Sequence, residues 1–252
     1  MQNEERQNKI IELIKKNGTV TYDFLTKNLY ISESTARREI LKLETLGIVK
    51  QIYKGASLID NSTNDSSSII RENSQITEKK NIALKALQFI KNDSSYFFDS
   101  STTISQLIVL LTQYKNLTIV TNGLNNAELL NRLTNFDIYL SGGKVNKNND
   151  STQGNYSMNF FLNFQCDYSV FSCRGINRNG EITEASADNQ IIKQIMIGHS
   201  KTHILLVDNT KFEKTYLFST CKLKDIDVLI TDKKPPEEII ELCKKSDVKL
   251  IY

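Results

Sequence analysis

The stretch Ser32–Gly47, SESTARREILKLETLG, decides how the first part of the chain is read. Ser32 suits a helix N-cap, because its hydroxyl can accept a first-turn N–H that no carbonyl reaches. Gly47 suits the left-handed position just past a helix end. Between them Ala36, Ile40 and Leu43 recur at helical spacing and form one apolar stripe. At about 100° per residue, Ser34 and Arg38 point away from that stripe, with Arg37 and Lys42 on its flanks. Two adjacent arginines, with Ser34 and Thr35 near the helix start, suit a DNA major groove. Arginine reads guanine edges bidentately, while Ser and Thr serve bases or phosphates. The plainer alternative is an amphipathic helix with a solvated charged face.

Working back from Ser32, Tyr22–Asn28 reads as a second helix, with Thr21 as N-cap and Phe24, Leu25 and Leu29 turned inward. Glu5–Lys16 reads as a first helix, with Ile10, Ile11, Leu13 and Ile14 on one face and a stop at Asn17-Gly18. A short gap between the second and third helices is the helix-turn-helix arrangement, in which the start of the second helix of the pair meets base edges. Beyond Gly47, IVKQIYKGASLI offers two short β-prone runs about a Lys54-Gly55 turn, a small wing with Lys50 and Lys54 free to reach phosphates. A helical protein-docking domain is the competing reading. Asp60–Ser68, DNSTNDSSS, lacks apolar residues and reads as a linker. The expected organisation is a winged helix-turn-helix over 1–57, a linker over 58–70 and a second domain over 71–252.

The composition is that of a globular protein, with 39% hydrophobic and 24% charged residues in 252. The net charge of +3 is concentrated in the head. Residues 1–57 carry 10 basic against 7 acidic side chains, and the remaining 22 basic residues meet 22 acidic ones. That is the sign of a DNA-binding segment on a neutral body. No signal-peptide pattern and no run of about 20 apolar residues is present, so a cytoplasmic protein without membrane contact is expected. Cys166, Cys173, Cys221 and Cys243 are widely spread and the two histidines stand apart from any ligand cluster. Buried free thiols are expected, with neither disulfide nor metal.

From residue 69 onward, helical and strand patterns alternate. Helices are expected at 76–90, 100–111, 124–133, 188–197 and 236–245, and strands at 96–98, 117–120, 136–140, 168–172, 203–207, 227–230 and 248–251. Lys144–Asn155 reads as a polar delay and Arg174–Glu181 as turn-rich. Such alternation means an α/β fold with a largely parallel sheet, which binds ligands beyond the carboxyl ends of its strands. Those ends carry Asp99-Ser100-Ser101-Thr102-Thr103, Thr121-Asn122-Gly123, Ser141-Gly142-Gly143, Cys173-Arg174-Gly175 and Asp208-Asn209-Thr210-Lys211. Hydroxyls and free N–H groups opening a helix favour an anion. Gly142 and Gly143 let backbone approach closely, and Lys211 and Arg174 can neutralise phosphate. Asp99, Asn122 and Asp208 offer groups for sugar hydroxyls. The expected ligand is a small phosphorylated, hydroxyl-rich molecule; Ser and Thr acting as ordinary helix caps are the alternative at each single position.

Along nearly its full length the chain resembles the DeoR/GlpR family of bacterial transcriptional regulators. Ser34-Thr35-Ala36-Arg37-Arg38-Glu39-Ile40 and Leu43-Glu44 are similar to that family's S-x-x-T-(I/V)-R-R-D-L and following L-E. Tyr53-Lys54-Gly55-Ala56 stands against its H-G-G-A. Asp99–Thr103 is similar to D-x-G-T-T, Thr121-Asn122 to T-N, Gly142-Gly143 to G-G, Asp208–Phe212 to D-x-(S/T)-K-F, and Lys193 with Met196 to K-x-x-M. Ser101 replaces a family glycine, Tyr53 and Lys54 replace His and Gly, and Glu39 replaces Asp. The resemblance implies an effector domain sharing its open-sheet fold with ribose-5-phosphate isomerase and CoA-transferase-like proteins. It also implies a repressor of carbohydrate genes that binds double-stranded operator DNA, answers to a phosphorylated sugar without a cofactor, and forms a homodimer or higher homo-oligomer. Paired half-sites on DNA suit a two-fold protein as well. The rival function is a sugar-phosphate isomerase-like enzyme, with Asp99, Asp208 or Glu184 as general base.

Overall fold

The computed structural model describes residues 3–45, 48–58 and 68–252. The expected stop at Gly47 and residues 59–67 of the expected linker lie outside them. The chain divides into two units, Met1–Ser74 and Gln75–Tyr252.

The first unit runs α1 (Asn3–Asn17), β1 (Thr19–Thr21), α2 (Tyr22–Leu29), α3 (Glu33–Thr45), β2 (Val49–Ile52), β3 (Gly55–Leu58) and α4 (Ser68–Glu72). Ile10 and Ile14 of α1, Leu25 of α2, and Ala36, Ile40 and Leu43 of α3 are buried together with Ile48 and Ala56. Thr21 caps α2 by accepting the Phe24 N–H at 3.1 Å, and Ser32 accepts the Thr35 N–H at 3.2 Å. Three features depart from expectation. The wing is a three-stranded sheet, because β1 pairs with β3, which lies between β1 and β2. The tight turn is Tyr53-Lys54, one residue earlier than expected, since Ile52 pairs with Gly55. Gly55 is instead where β1 crosses: a Cβ there would sit 2.0 Å from the Val20 carbonyl oxygen. The expected linker also loses both ends, Leu58 to β3 and Ser68–Glu72 to a helix whose Ile70 packs into the head core.

The second unit opens with α5 (Ile76–Ala86), β4 (Ser95–Phe98), α6 (Thr102–Ile108), β5 (Thr118–Thr121), α7 (Leu124–Leu133) and β6 (Asp137–Leu140). The hairpin β7 (Lys144–Asn146) and β8 (Ser151–Gln153) follows, then α8 (Asn155–Phe161) and β9 (Cys166–Phe171). β10 (Gly175–Ile176), β11 (Glu181–Glu184), α9 (Ala187–Gly198), β12 (Ser200–Val207) and β13 (Phe218–Lys222) come next. β14 (Val228–Thr231), α10 (Glu237–Lys245) and β15 (Lys249–Ile251) complete it. Seven strands form one sheet in the order β15-β14-β12-β9-β4-β5-β6, and every pairing in it is parallel.

Alternate residues of the central strands face opposite layers, as strand geometry requires. Tyr96, Phe98, Ile204 and Leu206 pack with Ile82 and Ala86 of α5 and Ile104 and Leu107 of α6. Phe97, Phe171, Leu205 and Val207 pack on the other face with Ile192 and Met196 of α9, Phe161 of α8 and Ile239 of α10. The polar stretch expected to delay the next strand holds β7, β8 and α8. The turn-rich segment holds β10 and β11, which join β13 in a separate three-stranded sheet. These elements are too short, or too polar on their exposed sides, to show a clear period.

In the main sheet the chain leaves β4 toward β5 and β6 on one side, while β9 begins the branch on the other. The crevice between the carboxyl ends of β4 and β9 is therefore the topological switch point, where open parallel sheets bind ligands.

Candidate functional site

In the head, the two arginines of α3 have different situations. Arg37 donates to Glu33 Oε1 from Nε at 3.0 Å and Nη2 at 2.6 Å, and its guanidinium carbon lies 4.3 Å from the centroid of the Tyr22 ring. Arg38 is exposed and has no ion pair or hydrogen bond among the described residues. The uncommitted donor is thus Arg38, on the face turned from the core beside exposed Ser34. Ser32, Ser34 and Thr35 form a hydroxyl cluster at the helix start, with Ser32 Oγ 2.9 Å from each of the other two hydroxyl oxygens.

Glu39, whose burial the sequence pattern did not reveal, fixes this helix from behind. It is fully buried and accepts Arg6 Nη2 at 2.7 Å and Gln7 Nε2 at 2.8 Å, with Lys42 Nζ at 3.9 Å. Burial pushes its pKa up, but the bonds from Gln7 and Arg6 outweigh burial and hold it below the usual carboxylate value. Lys42 thereby contributes to holding the helix as well as standing on its flank. At the hairpin tip, Lys54 adopts a left-handed backbone (φ +57°) and its carbonyl accepts the Tyr22 N–H at 2.9 Å.

In the body, Asp99 follows β4 at the switch point and its side chain is hydrogen-bonded. Its Oδ1 accepts the Ser101 N–H at 3.1 Å, and its Oδ2 accepts the Ser172 N–H at 3.0 Å across the crevice. Lys193 Nζ lies 3.2 Å from the same Oδ2 and also donates to Glu184 Oε1, all three side chains being buried. Burial pulls the Lys193 ammonium down, but the carboxylates of Glu184 and Asp99 outweigh it and raise its pKa. Asp99 therefore ties the end of β4 to the end of β9. Asp208 is likewise engaged, by the Thr210 N–H at 3.1 Å and the Thr210 hydroxyl. Burial raises its pKa, and Lys211 and Thr210 more than reverse that, leaving it lowered.

Other groups at the strand ends have capacity left. Lys211 Nζ donates to Ser172 Oγ at 2.8 Å and has Asp208 Oδ2 only at 3.7 Å, with its side chain 20% exposed. Asn122 donates from Nδ2 to the Thr152 carbonyl at 3.1 Å, while its buried Oδ1 has no partner among the described residues. The buried hydroxyls of Thr103 and Ser151 have none either. Ser151 sits opposite Gly123, and a Cβ on Gly123 would come 3.0 Å from the Ser100 Cα, so the ends of β4, β5 and β8 converge. Buried polar groups left unpaired cost about 1–3 kcal/mol each.

The remaining expected residues divide between structure and site. Ser101 caps α6, its hydroxyl accepting the Ile104 N–H at 3.4 Å; Ser100 and Thr102 flank it in the same turn. Gly143 has φ +130° and a Cβ there would meet the Gln153 carbonyl at 2.7 Å, so it serves the β7–β8 hairpin. Gly142 is exposed with open space around its Cα. Arg174 donates from Nη2 to Asn149 Oδ1 at 3.1 Å; desolvation lowers its pKa against the pull of Glu184 and Tyr216. The sequence reading of the site did not include Ser172, Asn126 or the Lys193–Glu184 pair. Asn126 links the Asp99 carbonyl to Ser105 at 2.8 and 2.7 Å. The strand-end position of Ser172, the K-x-x-M similarity at Lys193 and the naming of Glu184 as a general base in the rival reading pointed toward them singly; nothing in the sequence pointed to Asn126.

Residues 6–62 match the family model for the DeoR-like helix-turn-helix domain, and residues 74–233 that for the DeoR C terminal sensor domain. The chain belongs to the DeoR family. Over 250 residues it is 29% identical to the glycerol-3-phosphate regulon repressor of Escherichia coli, covering 99% of each chain. Over 233 residues it is 32% identical to the HTH-type transcriptional regulator GolR of Listeria innocua, covering 91% of each. Among solved structures it is similar to ribose-5-phosphate isomerase A from Neisseria gonorrhoeae, with a TM-score of 0.39 and 18% identity over 53% of this chain and 52% of that one. This DeoR-family chain is a DNA-binding transcriptional regulator whose body is a sensor domain. Among its described residues no helix is long and apolar enough to cross a membrane. Its four cysteines are free thiols; burial pushes Cys166, Cys173 and Cys221 up to about 12 and Cys243 up to about 11.

Proposed function

We propose that this regulator represses a carbohydrate-metabolism operon and that a phosphorylated sugar, bound at the β4–β9 switch point, changes its affinity for operator DNA. The observation that carries this reading is Lys211. It is a largely buried ammonium beyond the carboxyl ends of the strands whose one good hydrogen bond among the described residues goes to a neutral hydroxyl. An ammonium has three donors, and a phosphate oxygen is the strong acceptor that would use those left over. Unpartnered Asn122 Oδ1 and the Thr103 and Ser151 hydroxyls supply hydrogen-bonding capacity for the sugar. A relative that regulates a glycerol-3-phosphate regulon supports a small phosphate ester as the ligand class. No cofactor is needed for this role, and the protein acts in the cytoplasm as a homodimer or higher oligomer on paired half-sites. In the head, Ser32, Ser34, Thr35, Arg37, Arg38, Lys42 and Lys54 form the DNA face, with Arg38 reading bases and the others positioning the helix.

The test is fluorescence anisotropy of the full chain on duplex DNA from upstream of its own coding region, titrated with a panel of sugar phosphates. One compound should shift the affinity, and Lys211→Ala should abolish that shift while leaving DNA binding intact. A shift that survives in Lys211→Ala would remove Lys211 as the phosphate partner.

A further inference from the structure

The geometry points to two DNA contacts beyond the basic and hydroxyl residues of the head: Tyr30, in the turn between α2 and α3, the recognition helix, and Tyr53, at the tip of the hairpin. Their side chains have almost no protein around them, at 94% and 87% exposed. Tyr30 closes α2 in the left-handed backbone region, φ +53° and ψ +45°. Glycine or asparagine adopts that conformation more readily than a bulky aromatic residue. An aromatic ring that bears backbone strain and gains no burial from its own fold is a residue to explain by something outside the fold. Tyr53 leads into the left-handed Lys54, whose ammonium lies 5.4 Å from the Tyr53 ring centroid.

The two elements share a base. The Lys54 carbonyl accepts the N–H of Tyr22, and the Tyr22 ring lies under Arg37 of α3. The start of α2 thus supports both the hairpin tip and the recognition helix. The chain around the two rings is cationic and hydroxylic: Lys54 lies at one, Ser32 and Ser34 follow the other within four residues, and the uncommitted Arg38 is further along α3. That setting favours an anionic partner over an apolar protein face. A phenol hydroxyl donates to a phosphate oxygen while the ring packs on a sugar, so both residues position the head without reading sequence. The inference rests on DNA binding by the head.

Nitration of the full chain by tetranitromethane, with and without a saturating short duplex at low salt, tests it directly. Tyr156, 84% exposed in the second unit, is the internal reference. The duplex should protect Tyr30 and Tyr53 several-fold more than Tyr156. Separately, Tyr30→Ala and Tyr53→Ala should each weaken duplex binding roughly two- to tenfold, the worth of a typical hydrogen bond. Because tyrosine is neutral and displaces no counterion, the salt dependence should not change, whereas Lys54→Ala should lower its slope by about 1. Both side chains are exposed, so the variants should keep the wild-type circular dichroism spectrum. Duplex binding that leaves both tyrosines as reactive as Tyr156, or alanine variants of unchanged affinity, overturns the inference alone. No duplex binding at all overturns it together with the reading of the head.

Discussion

Replacing Lys193 with Met tests whether the switch point is held by buried charge. In the structure Lys193 Nζ stands 3.2 Å from Asp99 Oδ2 and in contact with Glu184 Oε1, with side-chain exposures of 9%, 4% and 2% respectively. At 3.2 Å and an effective dielectric of about 20, one such attraction is worth about 5 kcal/mol before desolvation is subtracted. Removing one partner of a buried pair costs about 3–5 kcal/mol, because the charges left behind have neither water nor a counter-ion. With a urea m-value of about 2 kcal/mol/M, the unfolding midpoint of the body should fall by about 1.5–2.5 M. Lys193→Met combined with Glu184→Gln, which removes one of the charges left without its counter-ion, should be less damaged than the single variant. Urea titrations followed by far-UV circular dichroism at pH 7 measure both effects. A single variant within about 1 kcal/mol of wild type would refute the clamp and return Lys193 to the status of a bystander.

Arg38→Ala should cost roughly 1–3 kcal/mol on specific duplex and relax the preference at one base position, measured by anisotropy on singly substituted sites. Gly55→Ala forces a Cβ to within 2.0 Å of the Val20 carbonyl; overpacking of this kind costs about 1–3 kcal/mol or more, so the head should melt earlier while the body does not. Acid should loosen the head through Glu39, whose carboxyl sits below its ordinary 4.5 in the folded state. Its contribution is full above the unfolded value and is lost as the pH falls through the folded one, so Glu39→Gln should remove that part of the head's acid sensitivity in thermal melts.

The head's three helices, Thr21 and Ser32 as caps, and the alternation that makes the body a parallel α/β sheet are all legible along the chain. Those features are local: a cap is one hydroxyl and one N–H within a turn, and a stripe of Ala36, Ile40 and Leu43 repeats at the pitch of its own helix. Strand-end positions were legible for the same reason, since each follows its own strand. What tertiary structure decided was which ends meet and which side chains are already spent. Asp99 reads in sequence only as the residue after a strand; that Ser172, just past a strand distant in sequence, places its N–H 3.0 Å from one of its oxygens belongs to the fold. Arg37 and Arg38 are alike in sequence, yet only Arg37 finds Glu33 and the Tyr22 ring. β1 joined the wing because Gly55 has no side chain in its path, a fact about two segments and not one. Burial and charge pairing are properties of neighbours far apart along the chain, so the roles of Lys193, Glu39 and Lys211 exist only once the chain has folded.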